Sequence, residues 1–186
     1  MRILVVQLKR LGDLVLTTPV FAALREALPE ARITLAAPAA AADLAPLLDV
    51  DEILLFGNGR ADWLRLLRGK FDVCLDFTGN DRSLLVSALS RARMRITYQR
   101  FAAKPFRRFV FTRFVDSNVS RRHTADHHVD LLQPLGIHRE RVPSHLRAGP
   151  LPAGIAKPYA ILHAGTARRE KYWSAEGWAG VGRMLA

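Results

Sequence analysis

A single cysteine, Cys74, stands in 186 residues, so a disulfide framework within the chain is excluded. It lies in the run FDVCLDF with no activating partner beside it, which reads as a small buried thiol in a strand and not as a nucleophile. No stretch approaches the roughly 18 uninterrupted apolar residues of a membrane-spanning helix. The opening MRILVVQLKR is broken by Gln7, Lys9 and Arg10, too soon for the apolar core of a secretory signal, so the expected location is the cytoplasm. The phosphate-loop pattern G-x-x-x-x-G-K-[ST] is also missing. Acidic residues are few: 17 Asp and Glu face 28 Lys and Arg, for a formal net charge of +11. A field of that sign concentrates anionic partners, whether nucleic acid, anionic lipid or acidic sugar. Arg greatly outnumbers Lys and Ala is abundant, so a plain compositional bias accounts for the same excess.

What is present is apolar and periodic. Hydrophobic residues make up 49% of the chain, enough for one domain with a real core and part of a second. Strand-like runs (ILVVQL, RITLAAP, DEILLF, FDVCLDF, MRITY) alternate with amphipathic segments, the pattern of parallel strands joined by crossover helices. The expected fold class is therefore α/β, a doubly wound Rossmann-like parallel sheet. Val20, Leu24 and Leu28, with Phe21 beside them, form one apolar helix face. Either Thr18 and Pro19 open that helix, or Pro19 kinks a helix begun at Asp13. Further helices are expected at Ala39 to Leu48, Asp62 to Leu67, Arg82 to Ser90 and Asp126 to Leu135.

Two segments interrupt the pattern. Gln99 to Arg122 mixes Arg with Phe; it reads as a loop that meets an anionic surface or stacks on bases, or as an edge strand RFVFTRFV with Phe inward and Arg outward. His145 to Pro158 is rich in Pro, Gly and Ala, as in a linker. The division expected is 1–144 for the first domain, 145–158 for the linker and 159–186 for the start of a second, with a strand YAILHA and the helix SAEGWAGVGRMLA. One strand and one helix cannot bury both faces, so this second domain reads as incomplete.

Ligands of doubly wound sheets bind beyond the carboxyl ends of the strands. Gly12 and Asp13, directly after the first apolar run, belong at that edge, and so do Asp76, Thr78, Gly79 and Asn80, with Asn80 or Asp81 also a natural helix cap. Gly57 and Gly59 follow a strand, but Asp62 stands where the dinucleotide fingerprint wants Gly or Ala; an N-cap Asp there would repel a pyrophosphate. In HAGTARREKYW the small Gly165 lets a backbone approach a phosphate, Thr166 can donate a hydrogen bond, and Arg168, Arg169 and Lys171 supply counter-charge. A solvated basic loop is the plain alternative. His123 and His127 are four apart, near His128 and Asp130, a spacing that can hold a metal. The segment otherwise reads as an ordinary amphipathic helix, and no metal site is expected.

Four blocks together, GDLVLTTPVFAALREALPEARITLAAP, FDVCLDFTGNDRSLLVSALSRARMRITY, HHVDLLQPLGI and HAGTARREKYWSAEGWAGVGRML, resemble family nine glycosyltransferases of the ADP-heptose to lipopolysaccharide heptosyltransferase type. The blocks occur in the family's order and span nearly the whole chain. The resemblance implies a metal-independent GT-B enzyme, with an N-terminal acceptor domain and a C-terminal nucleotide-sugar domain. It implies Asp13 as catalytic base, Thr166 and Lys171 with Gly165 as the donor-phosphate loop, and no cofactor beyond a nucleotide-sugar donor, ADP-heptose. Acceptor-side candidates are Gly12, Thr78, Gly79, Asn80 and His127. The implied acceptor is lipopolysaccharide inner core, whose keto-deoxy-octulosonic acid (Kdo) carboxylates and phosphates would give the positive charge a use and bring the protein to the inner membrane surface. The family's later D-T-G-x-x-H block has no counterpart, so this chain alone is expected to lack turnover. Two other readings stand beside this one: a non-catalytic basic module for nucleic acid or anionic membrane, with nucleic acid the less favoured partner, and a dinucleotide-dependent enzyme using Gly57 and Gly59.

Overall fold

Each of the apolar runs read as a strand pairs with its neighbours in a parallel sheet. A computed structural model describes residues 1–57, 59–140, 142–147, 149, 154–155, 158–166 and 168–185. Among these residues the strands are β1 (Arg2–Val6), β2 (Arg32–Pro38), β3 (Glu52–Phe56), β4 (Val73–Asp76), β5 (Met94–Tyr98) and β6 (Arg113–Val115), in the order β3-β2-β1-β4-β5-β6. Every pairing is parallel, and Ile3 of β1 lies level with Ile33 of β2 and Val73 of β4. The order reverses between β1 and β4, so the crevice for a ligand opens beyond the carboxyl ends of these two strands.

The sheet is covered on both sides because its strands are apolar at consecutive positions, as a doubly wound sheet requires. Ile3, Val5, Ile33 and Leu35 pack on one face with Val20, Phe21 and Leu24 of α2 (Thr18–Ala27). Leu4, Val6, Leu54 and Cys74 pack on the other with Leu66 of α3 (Ala61–Arg68) and Val86 of α4 (Asp81–Leu89). Cys74 is fully buried and its thiol is pushed up to about 12 by that burial, consistent with an inert core side chain.

Several local expectations are corrected. The run Ala39 to Leu48 is not one helix but two short 3-10 turns, Ala39–Ala41 and Ala45–Leu47, since Pro46 cannot donate to a continuing ladder. The helix after β1 is divided: α1 (Leu11–Val15) ends at Leu16, Thr17 takes the N-cap place of α2, and Pro19 sits in the first turn of α2. Asp62 does not cap α3; Arg60 holds that place without a side-chain bond, and Asp62 pairs with Arg65 at 2.8 Å. The strand RFVFTRFV shrinks to β6, because Arg107–Val110 turns into a short helix, α5, that leaves Phe109 outside. The helix α6 (Thr124–Val129) tightens into a 3-10 turn over Asp130–Leu135, where Pro134 lies.

The chain divides into two compact units, Met1–Ala148 and Gly149–Ala186. Of the expected linker, residues 148, 150–153, 156 and 157 lie outside the described residues. His145 N–H donates to Thr18 Oγ1 (2.9 Å) and Arg147 N–H to Leu47 O (2.8 Å), both within the first unit. In the second unit, α7 (Ala175–Leu185) forms as expected, with Gly177 N–H bonded to Ser174 Oγ at 3.0 Å. The run Tyr159 to Ala164 is not a strand: no neighbouring strand among the described residues of that unit offers it a ladder, and its side chains are exposed.

Candidate active site

The segment after β1 is held by a polar residue that interrupts the apolar run. Gln7 is fully buried, and its amide donates to Thr17 Oγ1 at 3.0 Å. Thr17 in turn donates to the backbone carbonyl of Asp13 at 2.8 Å. The two bonds fold α1 back over the end of β1 and leave Asp13 half-buried on its first turn. The Asp13 carboxylate has no hydrogen-bond or ion-pair partner among the described residues. Gly12 beside it is exposed, with open space where a Cβ would stand. Together they present a free carboxylate at an open edge, next to the exposed Lys9 and Arg10.

The loop after β4 is built around Asp76, which is fully buried. Its carboxylate accepts from the backbone of Thr78 (2.8 Å) and Gly79 (3.1 Å) and from Ser83 Oγ (2.7 Å). Burial still holds its pKa above the usual carboxylate range, against those bonds and the charge of Arg107. Thr78 joins the two strand ends, its hydroxyl accepting from Leu8 N–H at 2.7 Å. Gly79 has a left-handed φ of 66° and lies under the ring of Phe101, where an added Cβ would come within 2.1 Å of ring carbon. Asn80 caps α4 in a reciprocal pair with Ser83. Of these acceptor-side candidates, Thr78 ties the crevice together, whereas Gly79 and Asn80 serve the turn and the helix start.

The adjacent histidines of α6 diverge. His128 Nδ1 lies 3.2 Å from Leu16 O and 3.1 Å from Thr17 Oγ1; a carbonyl only accepts, so Nδ1 carries the proton. Burial first, then the neighbouring His127 and the charge of Lys9, lowers the pKa of His128 to about 4, while Leu16 O and Asp13 act in the opposite sense. His128 therefore belongs to the network that seats Asp13. His127, the candidate named from the sequence, turns elsewhere. Its ring stacks on Tyr98 at 4.1 Å, and its Nδ1 lies 2.7 Å from Ser117 Oγ. The Ser117 hydroxyl donates to the Asp130 carboxylate at 2.5 Å, so His127 Nδ1 must be the donor to Ser117. Nε2 of His127 is then a buried acceptor with no partner among the described residues. Burial, then the charges of Arg100, Lys9 and Arg122, lowers the pKa of His127 to about 4. His123 caps α6, its Nδ1 accepting from Ala125 N–H, and among the described residues no three His, Cys, Asp or Glu side chains gather as a metal site.

The second unit carries the other sequence candidates. Gly165 and Thr166 line a concave surface of about 440 Å³ with Ala164, Tyr172, Trp173, Ala175 and Trp178. The two indole rings meet edge to face at 5.4 Å. Lys171 is exposed in the turn Arg169–Lys171, outside that lining. Sequence reasoning passed over Gln7 and Thr17 as site-builders, and a lone Gln inside the apolar run ILVVQL was the available signal for the first.

No family model matches the sequence, and neither does any curated protein sequence. Solved structures do match in fold. A family 9 glycosyl transferase from Veillonella parvula is 24% identical with a TM-score of 0.77, over 98% of this chain and 60% of its own. The E. coli heptosyltransferase WaaC with ADP-2-deoxy-2-fluoro heptose is 17% identical with a TM-score of 0.81, over 100% of this chain and 65% of its own. E. coli ADP-heptose lps heptosyltransferase II is 19% identical with a TM-score of 0.59, over 70% of this chain and 40% of its own. This chain thus shares the fold of solved family 9 glycosyltransferases and spans under two thirds of their length.

Proposed function

We propose that this chain is the acceptor-side part of an inverting glycosyltransferase that moves a heptose from ADP-heptose to the acidic Kdo and heptose inner core of lipopolysaccharide. One observation carries the reading: the whole chain follows the fold of WaaC, and a free carboxylate, Asp13, stands at the open switch-point edge of the sheet. In this reading Asp13 takes the proton of the acceptor hydroxyl as that oxygen bonds to the anomeric carbon. The bond from that carbon to the donor diphosphate breaks as ADP departs, through an oxocarbenium-like transition state. In the second unit, Thr166 and Lys171 offer a diphosphate a hydrogen bond and an ammonium group, and the small Gly165 leaves room for its oxygens. Gln7, Thr17 and His128 are positioning residues that seat the turn bearing Asp13. A neutral His128 suits this role, since an imidazolium there would hold the base in its ionised form too strongly.

The test is a calorimetric titration of the chain with a Kdo-bearing core oligosaccharide, beside a single-stranded oligonucleotide of equal charge, at two salt concentrations. Saccharide binding that persists in added salt, with none comparable for the oligonucleotide, is expected. Equal binding of both that disappears with salt overturns the acceptor reading, because only unselective charge then remains.

A further inference from the structure

The segment from Gln99 to Arg122 holds seven basic residues and one acidic residue, and its two most exposed large apolar side chains are aromatic. Phe106 is 73% exposed and Phe109 85% exposed. Apolar rings so open to water call for a partner. Their direction is built in. Phe106 holds a left-handed φ of 61°, a conformation that bulky residues rarely adopt, while Arg107 between them is 1% exposed. The Arg107 guanidinium donates to Gly79 O at 3.2 Å and pairs with Asp81 at 3.0 Å, so it pins α5 against the loop after β4. With Arg107 turned in, its neighbours on either side turn out. Lys104 and Arg108 are exposed beside the two rings, and among the described residues the Arg108 guanidinium makes a hydrogen bond only through Nε, to Ala102 O.

We propose that Phe106 and Phe109, flanked by Lys104 and Arg108, form a docking wedge for an anionic lipid bilayer. The rings enter the boundary between headgroups and acyl chains, and the cations meet headgroup charge. The complementarity is specific in kind: apolar tips inside a basic surround match a surface that is anionic outside and apolar a few ångströms below. Single-stranded nucleic acid fits less well, since base stacking wants rings lining a groove, and side chains 73% and 85% exposed project instead. The wedge stands independently of any transfer chemistry. It lies on the segment pinned to Gly79, whose loop follows β4 at the switch point of the sheet.

The experiment is co-sedimentation of the chain with vesicles of phosphatidylcholine alone and of phosphatidylcholine mixed with phosphatidylglycerol, at low and high salt. The wild-type chain should partition onto mixed vesicles about tenfold or more better than onto neutral ones. The double variant Phe106→Ser, Phe109→Ser should lose about tenfold or more of that partitioning with an unchanged melting temperature, because neither ring is part of the core. Phe109→Trp should retain it, and Lys104→Gln with Arg108→Gln should lose the preference for anionic lipid. The proposal is overturned if the Ser variant binds mixed vesicles like wild type, or if both vesicle types bind equally. It is also overturned if the Phe substitutions abolish oligonucleotide binding or self-association while vesicle binding is absent in wild type.

Discussion

Replacing Asp76 tests how the crevice is held open. Asp76→Ala removes the acceptor for the backbone N–H groups of Thr78 and Gly79 and for the Ser83 hydroxyl. Ser83 has a second acceptor in Asn80 O at 3.0 Å, so two buried N–H groups are the ones stranded. Each unsatisfied group costs about 1–3 kcal/mol, offset in part by no longer burying a carboxylate, which gives a net loss of about 2–4 kcal/mol. Asp76→Asn keeps Oδ1 for both N–H groups and can donate from its amide to Ser83 Oγ, whose proton then turns to Asn80 O. Its loss should stay within about 1 kcal/mol at neutral pH. The pH dependence separates the variants further. Burial places the folded pKa of Asp76 above its ordinary value, so between those two values the folded state binds more protons than the unfolded chain, and this residue's contribution falls as pH rises through the window. The Asn variant lacks that slope, so the gap between it and wild type should be widest in acid and narrow upward, by at most about tenfold in the folding constant per pH unit. Urea unfolding followed by circular dichroism at several pH values measures both. If Asp76→Asn is as damaging as Asp76→Ala at neutral pH, or if wild type and Asn variant keep parallel pH profiles, the account of this loop is wrong.

The same geometry makes further predictions. Gly79→Ala should destabilise the first unit by about 1–3 kcal/mol, from its positive φ and the Phe101 ring in its Cβ space, while Gly12→Ala should leave the melting temperature unchanged because nothing stands near its Cβ; equal shifts for the two would contradict this. His127 and His128, both lowered to about 4, are neutral when folded at pH 5, whereas the unfolded chain binds protons below about 6.5. Their contribution to stability is therefore complete above about 6.5 and lost as pH falls toward 4. Imidazole nitrogen shifts should show both rings protonated on Nδ1 at pH 6, and either ring titrating near its ordinary value would refute the buried arrangement. Arg107→Leu strands the carbonyl of Gly79, since Asn80 O keeps Ser83 Oγ and Leu84 N–H, and should cost about 1–2 kcal/mol. Its thermodynamic coupling to Asp81→Ala should be indistinguishable from zero, since the Asp81 side chain is fully exposed.

The strands were legible because a doubly wound sheet writes itself as apolar runs of strand length, and RITLAAP even matches β2 end to end. The failures cluster where a short-range rule met a stronger neighbour. Ala39 to Leu48 has helical composition throughout, but Pro46 leaves room only for separate turns. RFVFTRFV reads like a strand, but Arg107, the residue just before it, is drawn inward by Gly79, Asn80 and Asp81 and winds its first residues into α5, a long-range pull that no local pattern records.

The site shows the same division. Gly12 and Asp13 were readable as an edge because Gly and an acid follow a buried strand, a purely local arrangement. The histidines were not, because residues 127 and 128 have identical side chains and differ only in rotation about the helix axis. That rotation is fixed by Val129, Leu131 and Leu132 entering the core, where the turn over Asp130–Leu135 packs on β5 and β6. It sends His128 to Thr17 and Leu16 and leaves His127 to Tyr98 and Ser117. The seating of Asp13 therefore depends on core side chains distant in sequence. A one-residue shift of the α6 register that put Val129 in the place of His128 would take the imidazole from Thr17 and Leu16 and uncouple the turn that carries the carboxylate.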